Sequence, residues 1–387
     1  MLYINGGILV KVLVLYAKVG NGHLKAAESF KEALEKIDKN IEIDYEDGLE
    51  YSSQLTNKLM VKGYSRLARS APKLWGTMYR RSDKQELNTI GEINKMVNKA
   101  LTIRLKKMLR EKNPDVIVST HPFVSHMCAY LKRKKKTTAK IVSIITDYGL
   151  HNMWLEENEY IDRIMVATAE MKNDCVRKYN VPADKIMVTG IPVSERFTYE
   201  YDKGEILGEL KLRNGVTTLL FFAGGGLGLG KSEKIFEELV NANYNFQLIV
   251  VTGKNEKQKK RFEKIASKAN KPIAVLGYTN RVPELMNASD FVITKPGGLT
   301  STECLAMCKP MIIINPIPGQ EEQNSIYFTN SGTALRTYKG EPLEHVLDIV
   351  VNNKLRVNQM IEMCKNIGKP NSAFDAANEV IKIYKEG

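Results

Sequence analysis

The chain has 387 residues, enough for two domains of ordinary size. Apolar residues make up 43% and charged residues 26%, a balance that supports packed cores and excludes a disordered chain. The net charge of +13 favours an anionic partner, either nucleic acid or an acidic membrane surface.

The first part of the chain alternates short β-branched runs with helical stretches. Its apolar start lacks the basic region and cleavage site of a signal peptide, so we predict a buried strand over roughly 11–16. A helix follows from about His23 to Lys39. Further strands are predicted at IEIDYED, DVIVST, KIVSIITD, RIMVAT and KIMVTG. This alternation predicts βαβ units around a parallel sheet buried on both faces.

A strongly basic segment without strand character, residues 52–113, interrupts this pattern. It carries 15 lysines and arginines against 4 acidic residues, a net charge of +11. Large apolar side chains lie between the cations, a composition typical of a helix on anionic lipid. We therefore predict that Trp75, Arg80 and Arg81 contact a membrane, with a solvated basic face as the alternative. Any membrane contact is peripheral, because no apolar run reaches 18 residues.

The second part of the chain repeats the strand pattern. Residues 196–214 are polar and predict a linker with a short helix. Strands then resume at TTLLFFAGG, FQLIVVTG, IAVLGY, DFVITKPGG and PMIIINP. This predicts a second doubly wound domain, with ligand loops at the carboxyl edge of its sheet. We place the domains at 1–195 and 196–365.

The five cysteines contain no C-x-x-C pair, which favours a reducing compartment. Cys304 and Cys308 lie one helical turn apart, but no histidine or further cysteine is close in sequence. We therefore expect these thiols to pack in a core rather than to bind metal.

Two glycine-rich turns are candidate sites for chemistry. The turn KVGNGH places His23 where a strand passes into a helix, and its imidazole can accept a proton near neutral pH. A histidine that merely caps the helix is an equal alternative. The turn FFAGGGLGLGK has five glycines within seven residues, which indicates close approach of a ligand or of another backbone segment.

The stretch TKPGGLTSTECLAM is the strongest signal for a ligand. Gly297, Gly298 and Thr300 lie at a predicted helix N-terminus, which suits a diphosphate. Glu303 follows one step inside and can accept both hydroxyls of a ribose, although it could also only complement the helix dipole. The loop PGQEEQN that follows is rich in side chains able to bind sugar hydroxyls.

The chain resembles the diacylglycerol glycosyltransferases. These are the bacterial processive glucosyltransferases and the plant monogalactosyldiacylglycerol synthases, which share a superfamily with the peptidoglycan lipid-linked GlcNAc transferase. The resemblance covers nearly the whole chain through GNGH, THPF, TDYGLHNMW, VTGIPV, KPGGLTSTE and PGQEEQN, in that order. It implies a GT-B fold, in which two Rossmann-like domains face each other across a cleft and the last helix, 366–387, packs on the first domain.

The resemblance also implies an activity and its residues. The family inverts the anomeric carbon, needs no metal or other cofactor, and transfers glucose or galactose from a UDP-sugar to diacylglycerol. His23 matches its general base. Gly22, His121, Asp147 and Trp154 match the acceptor side. The UDP-sugar positions are Gly224, Gly225, Gly226, Thr279, Val282, Gly297, Gly298, Leu299, Thr300, Glu303, Gln320, Glu321 and Asn324.

The partners expected on this basis are UDP-glucose or UDP-galactose, diacylglycerol and an anionic phospholipid surface on the cytoplasmic face of the membrane, with no nucleic acid. Transfer of GlcNAc to a polyprenyl-linked precursor is the alternative within the superfamily. Glu321 and Glu322 favour a plain hexose over GlcNAc. A basic nucleic-acid-binding protein is the alternative from another class, but no RNA-binding signature is present.

Overall fold

A computed structural model describes residues 3–4, 7–8, 10–18, 21–51, 71–83, 102–224, 229–338 and 341–385. Gly225, Gly226 and most of the basic segment (52–70 and 84–101) lie outside the described residues. The chain divides into two compact units. The first unit is Met1–Glu195 with Ile317–Gln323 and Asn371–Gly387, and the second unit is Arg196–Pro316 with Asn324–Pro370.

The first unit is built on a six-stranded parallel sheet in the order β4-β3-β5-β6-β7-β8. Its inner strands are rich in valine and isoleucine and are largely buried, as strands covered on both faces require. The two edge strands, Ile41–Asp47 and Ile186–Val188, are only partly buried. A short antiparallel hairpin of β1 and β2 precedes the sheet. The strands are β1 (Tyr3–Ile4), β2 (Gly7–Ile8), β3 (Val10–Tyr16), β4 (Ile41–Asp47), β5 (Val116–Ser119), β6 (Lys140–Ile144), β7 (Arg163–Val166) and β8 (Ile186–Val188).

Helices cover this sheet and close its core. One cluster joins Val12 and Val14 of the central strand to Phe30 of the first helix and to Val380 of the last helix. The C-terminal helix therefore packs in the core of the first unit. The helices are α1 (Gly22–Ile37), α2 (Pro72–Asp83), α3 (102–112), α4 (Pro122–Arg133), α5 (Ala169–Tyr179) and, at the C-terminus, α14 (Ser372–Lys385).

The second unit has its own six-stranded parallel sheet, in the order β11-β10-β9-β12-β13-β14. Its core joins the strands to stacked Phe236 and Phe262, whose ring centroids are 4.4 Å apart. The strands are β9 (Thr218–Phe222), β10 (Gln247–Val251), β11 (Ile273–Leu276), β12 (Phe291–Thr294), β13 (Met311–Ile313) and β14 (Ala334–Arg336).

The second group of helices begins within the polar stretch 196–214, where a short helix forms as predicted. Ile206 and Leu207 bury its apolar side. The helices are α6 (Lys203–Glu209), α7 (Leu229–Asn241), α8 (Glu256–Ala266), α9 (Val282–Asn287), α10 (Gly298–Ala306), α11 (Gln320–Asn330), α12 (Glu344–Asn352) and α13 (Lys354–Ile367). Short 3-10 turns lie at Asn152–Trp154, Asn158–Tyr160, Ala183–Lys185 and Glu195–Thr198.

The two predicted parallel sheets are confirmed. The first has the six strands predicted, and the second has the five predicted strands and an unpredicted sixth, β14. The first predicted helix is also confirmed. It begins at Gly22, one residue earlier than predicted, and ends at Ile37, two residues earlier than predicted. Cys304 and Cys364 are buried free thiols, and Cys308 is partly buried. Within the described ranges, no helix is both long and apolar enough to cross a bilayer.

Candidate active site

The topology of the first sheet predicts where a ligand binds. When the six strands are numbered in chain order, they lie side by side as 2-1-3-4-5-6. The strand β4 lies on one side of β3 and all later strands lie on the other side, so the order reverses between β3 and β5. Open α/β sheets bind ligands at such a switch point, beyond the carboxyl ends of the strands. His23 follows β3, and Thr120 with His121 follows β5. The third neighbouring strand, β6, leads to Thr146.

His23 is held by the loops that follow β5 and β6. Its Nδ1 lies 2.7 Å from the carbonyl oxygen of Thr120 and 2.9 Å from Oγ1 of Thr146. The Thr120 hydroxyl in turn donates to the carbonyl oxygen of His23 at 2.9 Å. The hydrogen bonds of the ring join it to the loops after other strands and not to the backbone amides of α1. The helix-capping alternative therefore does not describe the ring.

Burial controls the charge of this imidazole. Loss of water disfavours the cation and lowers the pKa of His23 to about 4, although the hydrogen bond to the Thr120 carbonyl acts in the opposite direction. The ring is therefore neutral at physiological pH. Its side chain is only partly buried, so a substrate can still approach it. A neutral, reachable imidazole is suited to general-base chemistry.

Two further aromatic rings lie close to His23, and a third packs against one of them. The ring of His121 meets it edge to face, with centroids 4.7 Å apart, and Trp154 lies at 6.4 Å. Phe123 lies against His121 at 5.6 Å. His121 is buried, and its Nδ1 has no hydrogen-bond partner among the described residues. Burial, and to a smaller extent the nearby His23, lowers the pKa of His121 well below its usual value. The acceptor candidates His121 and Trp154 are thus brought to the catalytic candidate.

The other two acceptor candidates lie beside these groups in the chain. Gly22 is the first residue of α1 and precedes His23. Asp147 follows Thr146 in a partly exposed bend.

Helix α2 carries the predicted membrane residues and is anchored to the turn that bears Trp154. Asp83 accepts a hydrogen bond from the Asn152 amide at 2.9 Å. His151 Nδ1 accepts from the Met153 amide at 3.1 Å, so its Nε2 carries the proton donated to the Tyr79 carbonyl at 3.2 Å. Neutral His151 therefore links the helix to the acceptor turn.

The outward side of α2 differs from the prediction in one respect. Arg80 and Arg81 are exposed, as expected for a lipid-facing surface. Trp75 is only partly exposed and lies 6.1 Å from the buried Tyr79 ring. The exposed apolar side chains are instead Leu74, at 54%, and Met78, at 39%. They are four residues apart and so occupy one helical face.

Two of the predicted donor-sugar residues, Gln320 and Glu321, group with the first unit. Glu321 accepts a hydrogen bond from the Ile317 amide at 2.7 Å, which stabilises the turn that starts α11. Gln323, in the same segment, packs against Gly149. A Cβ at Gly149 would lie only 2.5 Å from the Gln323 Cβ, so a side chain there is excluded.

The second sheet also has a switch point beside its predicted ligand residues. In chain order its strands run 3-2-1-4-5-6, the order of dinucleotide-binding sheets, and the reversal falls between β9 and β12. Gly224 follows β9, and Gly297 precedes α10 just after β12. Asn324 lies beneath this turn, where its amide donates to the Pro296 carbonyl at 3.0 Å.

Among the described residues, nothing crowds Gly297 at the start of α10. Gly297 is the N-cap with an ordinary φ of −71°, and a Cβ there would have no described neighbour within 4 Å. The described residues therefore do not require glycine at 297. The first amides of a helix have no partner within the helix and are the groups that bind an anion. Gly298 and Leu299 are buried and Thr300 and Glu303 are partly exposed in the first turns of this helix.

The remaining donor candidates have local structural roles as well. A Cβ at Gly224 would lie 2.9 Å from the Thr252 carbonyl, so close backbone approach alone requires glycine there. Thr279 follows β11, and its Oγ1 accepts from the Arg281 amide at 3.0 Å. Val282 begins α9. These positions lie at the carboxyl edge of the second sheet, together with Gly297.

Sequence reasoning missed two contacts of His23, those of Thr120 and Thr146. Both residues belong to motifs quoted for the resemblance, THPF and TDYGLHNMW, and both follow a predicted strand. Their position after strands was the available signal. The order of the strands in the sheet, which the sequence does not state, was needed to join them to His23.

Comparison with known families agrees with this organisation. Residues 23–193 match the family model of monogalactosyldiacylglycerol (MGDG) synthase, and residues 224–379 match that of the glycosyltransferase family 28 C-terminal domain. The first match covers His23, His121, Asp147 and Trp154, and the second covers the predicted UDP-sugar residues.

Individual relatives extend over nearly the whole chain. A processive diacylglycerol beta-glucosyltransferase of Bacillus licheniformis is 28% identical over 96% of this chain and 94% of its own length. Another of Staphylococcus epidermidis is 29% identical over 91% of this chain and 88% of its own length.

Solved structures show the same fold at low identity. The structure of MurG from Acinetobacter baumannii superposes with a TM-score of 0.65 at 12% identity, covering 98% of this chain and 100% of that one. The structure of S. aureus MnaA with UDP gives 0.64 at 13% identity, covering 97% of both chains. The two Rossmann-like units thus define a GT-B fold. The resemblance to the diacylglycerol glycosyltransferases is confirmed by the family model over residues 23–193 and by relatives that match nearly the whole chain.

Proposed function

We propose that the protein transfers a hexose from a UDP-sugar to the hydroxyl of diacylglycerol at a membrane surface, with inversion at the anomeric carbon. The observation that carries the proposal is the neutral, partly exposed His23 at the switch point of the first sheet. It is supported by the names of the relatives, which are processive diacylglycerol beta-glucosyltransferases.

In the proposed reaction His23 is the general base. Nε2 takes the proton of the acceptor hydroxyl as the hydroxyl oxygen forms a bond to the anomeric carbon. The bond from that carbon to the diphosphate oxygen breaks, and UDP leaves. One base is sufficient for this single displacement, and no covalent nucleophile is needed.

The donor site is proposed at the start of α10. Open space at Gly297 and the amides of the helix start suit a diphosphate, and the helix dipole stabilises charge on the leaving group. Solved GT-B structures support a uridine nucleotide, since MnaA was solved with UDP and HepE of Anabaena with UDP and glucose. We further propose that Glu303 binds the ribose, that Gln320, Glu321 and Asn324 lie near the sugar, and that no metal is required.

The donor sugar we favour is glucose, because the named relatives are glucosyltransferases, while the N-terminal family model carries the name of a galactosyl enzyme. Diacylglycerol is an acceptor dissolved in lipid, so the protein has to work at a bilayer. The exposed cations and apolar side chains of α2 suit peripheral binding to an anionic surface. We propose the cytoplasmic face of the membrane.

Transfer of GlcNAc to a polyprenyl-linked precursor is the second candidate. The structural likeness to MurG extends to the fold alone at 12% identity, and the relatives of higher identity carry the diacylglycerol name. We therefore rank it below hexose transfer.

The test is a donor screen on vesicles of diacylglycerol with phosphatidylglycerol. Radiolabelled UDP-glucose, UDP-galactose and UDP-GlcNAc are each offered with and without EDTA, and lipid products are separated by thin-layer chromatography. We expect a labelled hexosyl-diacylglycerol that forms equally in EDTA. Failure of both UDP-hexoses to label lipid would contradict the proposal, and loss of transfer in EDTA would contradict metal independence.

A further inference from the structure

The hydrogen bonds at Nδ1 of His23 fix the tautomer of its ring. The Thr120 carbonyl oxygen, 2.7 Å away, can only accept a hydrogen bond. An unprotonated Nδ1 would face that oxygen with its own lone pair, which is repulsive at this distance. The proton of the neutral ring therefore lies on Nδ1, and the basic lone pair lies on Nε2.

A second oxygen shares this proton. Thr146 Oγ1 lies 2.9 Å from the same nitrogen, on a side chain that is only 4% exposed. Thr120 O and Thr146 Oγ1 thus form a pair of uncharged oxygens around Nδ1. Many catalytic histidines use a carboxylate at this position, whereas both hydrogen-bond partners described for His23 are neutral.

We propose that Thr146 is a positioning residue for His23, whose hydroxyl holds the Nδ1 proton together with the Thr120 carbonyl and so keeps Nε2 as the base. This inference rests on the proposed function, because it assigns a role in the same proton transfer. When Nε2 takes up the acceptor proton, the ring becomes cationic and its Nδ1–H bonds strengthen. The Thr146 hydroxyl then stabilises the charge at the step where charge develops.

The fold explains why a threonine after β6 can act on a histidine after β3. Strands β3, β5 and β6 are consecutive neighbours in the sheet, and all three point their carboxyl ends to the same edge. The loop after β5 supplies the Thr120 carbonyl and the loop after β6 supplies the hydroxyl. The ring of His23 is therefore fixed from two strands at once.

Among the described residues, the ionisable groups near His23 add no charge that would compete with the two uncharged oxygens at Nδ1. The titratable ring that faces His23 is His121, whose pKa is also lowered by burial, so it adds no positive charge near neutral pH. Lys25, two residues along α1, is exposed and pairs with Glu28 at 2.5 Å. The two oxygens at Nδ1 are thus the groups that act on the protonated ring most directly.

The test compares Thr146→Val, which removes the hydroxyl at nearly constant size, with Thr146→Ser, which keeps a hydroxyl. Ser143→Ala is the matched control, because Ser143 is buried on β6 but its hydroxyl lies 2.9 Å from that of Ser125. We expect Thr146→Val to lower kcat about tenfold or more, as for loss of a hydrogen bond to a charged group. The KM for diacylglycerol and the affinity for UDP should change by less than about twofold.

The pH profile separates positioning from a structural role. Loss of an oxygen that stabilises the cation lowers the pKa of His23, so the acid limb of kcat should move to lower pH in Thr146→Val. Thr146→Ser should restore both kcat and the limb, and Ser143→Ala should leave both unchanged. An unchanged kcat, or a reduced kcat with an unmoved limb, would overturn the proposal.

A second readout does not depend on activity. Titration of 15N-labelled histidine by NMR reports the tautomer and pKa of His23 in the wild type and in Thr146→Val, or in Thr146→Ala if valine prevents folding. We expect an Nδ1–H tautomer in the wild type and a lower pKa in the variant. Identical titrations would overturn the role of Thr146 even if no donor is transferred, whereas the expected fall in pKa without any transfer would refute only the proposed function.

Discussion

His23 is a base whose properties come from burial and from neutral oxygens rather than from a carboxylate. Burial disfavours its cation, so the ring stays neutral with its lone pair on Nε2. The cost is a low intrinsic basicity. In the proposed reaction His23 has to take the proton only as the glycosidic bond forms, when the acceptor hydroxyl becomes more acidic. A weak base is sufficient at that point.

Substitution of this single residue separates chemistry from donor binding. We expect His23→Ala to lower kcat by about a hundredfold or more, the usual contribution of a general base. UDP affinity, measured by isothermal titration calorimetry, should stay within about twofold, because the proposed diphosphate site belongs to the second unit. His345→Ala is the control, since His345 is exposed at the start of α12. A large loss of UDP affinity in His23→Ala would contradict the assignment.

His121 should make the stability of the protein depend on pH. An unfolded chain protonates this residue near pH 6.5, whereas the folded protein keeps it neutral to much lower pH. Below pH 6.5 the unfolded state therefore binds more protons, and the free energy of unfolding falls as the pH drops. The contribution is fully present above pH 6.5.

His121→Gln removes this titration. Between pH 7.5 and pH 5 we expect the variant to lose about 2 kcal/mol less stability than the wild type, because pH 5 lies about 1.5 units below the unfolded pKa and each unit is worth about 1.4 kcal/mol. Urea unfolding followed by circular dichroism at both pH values measures it. Parallel losses in the two proteins would show that His121 is protonated equally in both states.

At the scale of elements, α2 has two faces with different tasks. Its inner side is tied to the acceptor turn through Asp83 and the His151 bridge. Its outer side exposes Leu74, Met78, Arg80 and Arg81. The helix thus connects a surface suited to anionic lipid with the turn that holds Trp154 beside His23.

The outer face of α2 should determine binding to anionic vesicles. Each cation near such a surface contributes about 1 kcal/mol, so Arg80→Glu with Arg81→Glu should weaken binding at least tenfold in a vesicle sedimentation assay. Lys257→Glu with Lys260→Glu changes the net charge equally on exposed positions of α8 and should have a much smaller effect. Equal losses in the two double variants would show that net charge, and not this helix, governs binding.

The elements themselves were largely predictable from local pattern. Buried parallel strands read as continuous runs of valine and isoleucine, and the turn KVGNGH marked the start of α1 within one residue. The orientation of α2 was less predictable. Trp75 and Leu74 are adjacent in sequence, and only packing against Tyr79 decides that leucine is the more exposed of the two.

At the scale of the whole molecule, the same rule locates both candidate sites. The two sheets have different strand orders, yet His23 with His121 in the first and Gly224 with Gly297 in the second follow the strands at the switch point. The sequence could supply the motifs and their order along the chain. It could not supply the neighbour relations between strands, which is why the contacts of His23 with Thr120 and Thr146 emerged only from the structure.

The reaction proposed for this protein is an inverting transfer of a hexose to diacylglycerol with His23 as base. Proton NMR of the purified lipid product tests it most directly, because the coupling of the anomeric proton reports the configuration of the new bond. From UDP-glucose, whose glucose is α-linked, we predict a β-glucosyl diacylglycerol, formed by the wild type and lost in His23→Ala. An α-linked product would contradict inversion, and an undiminished β-linked product in His23→Ala would contradict the role of His23 as the base.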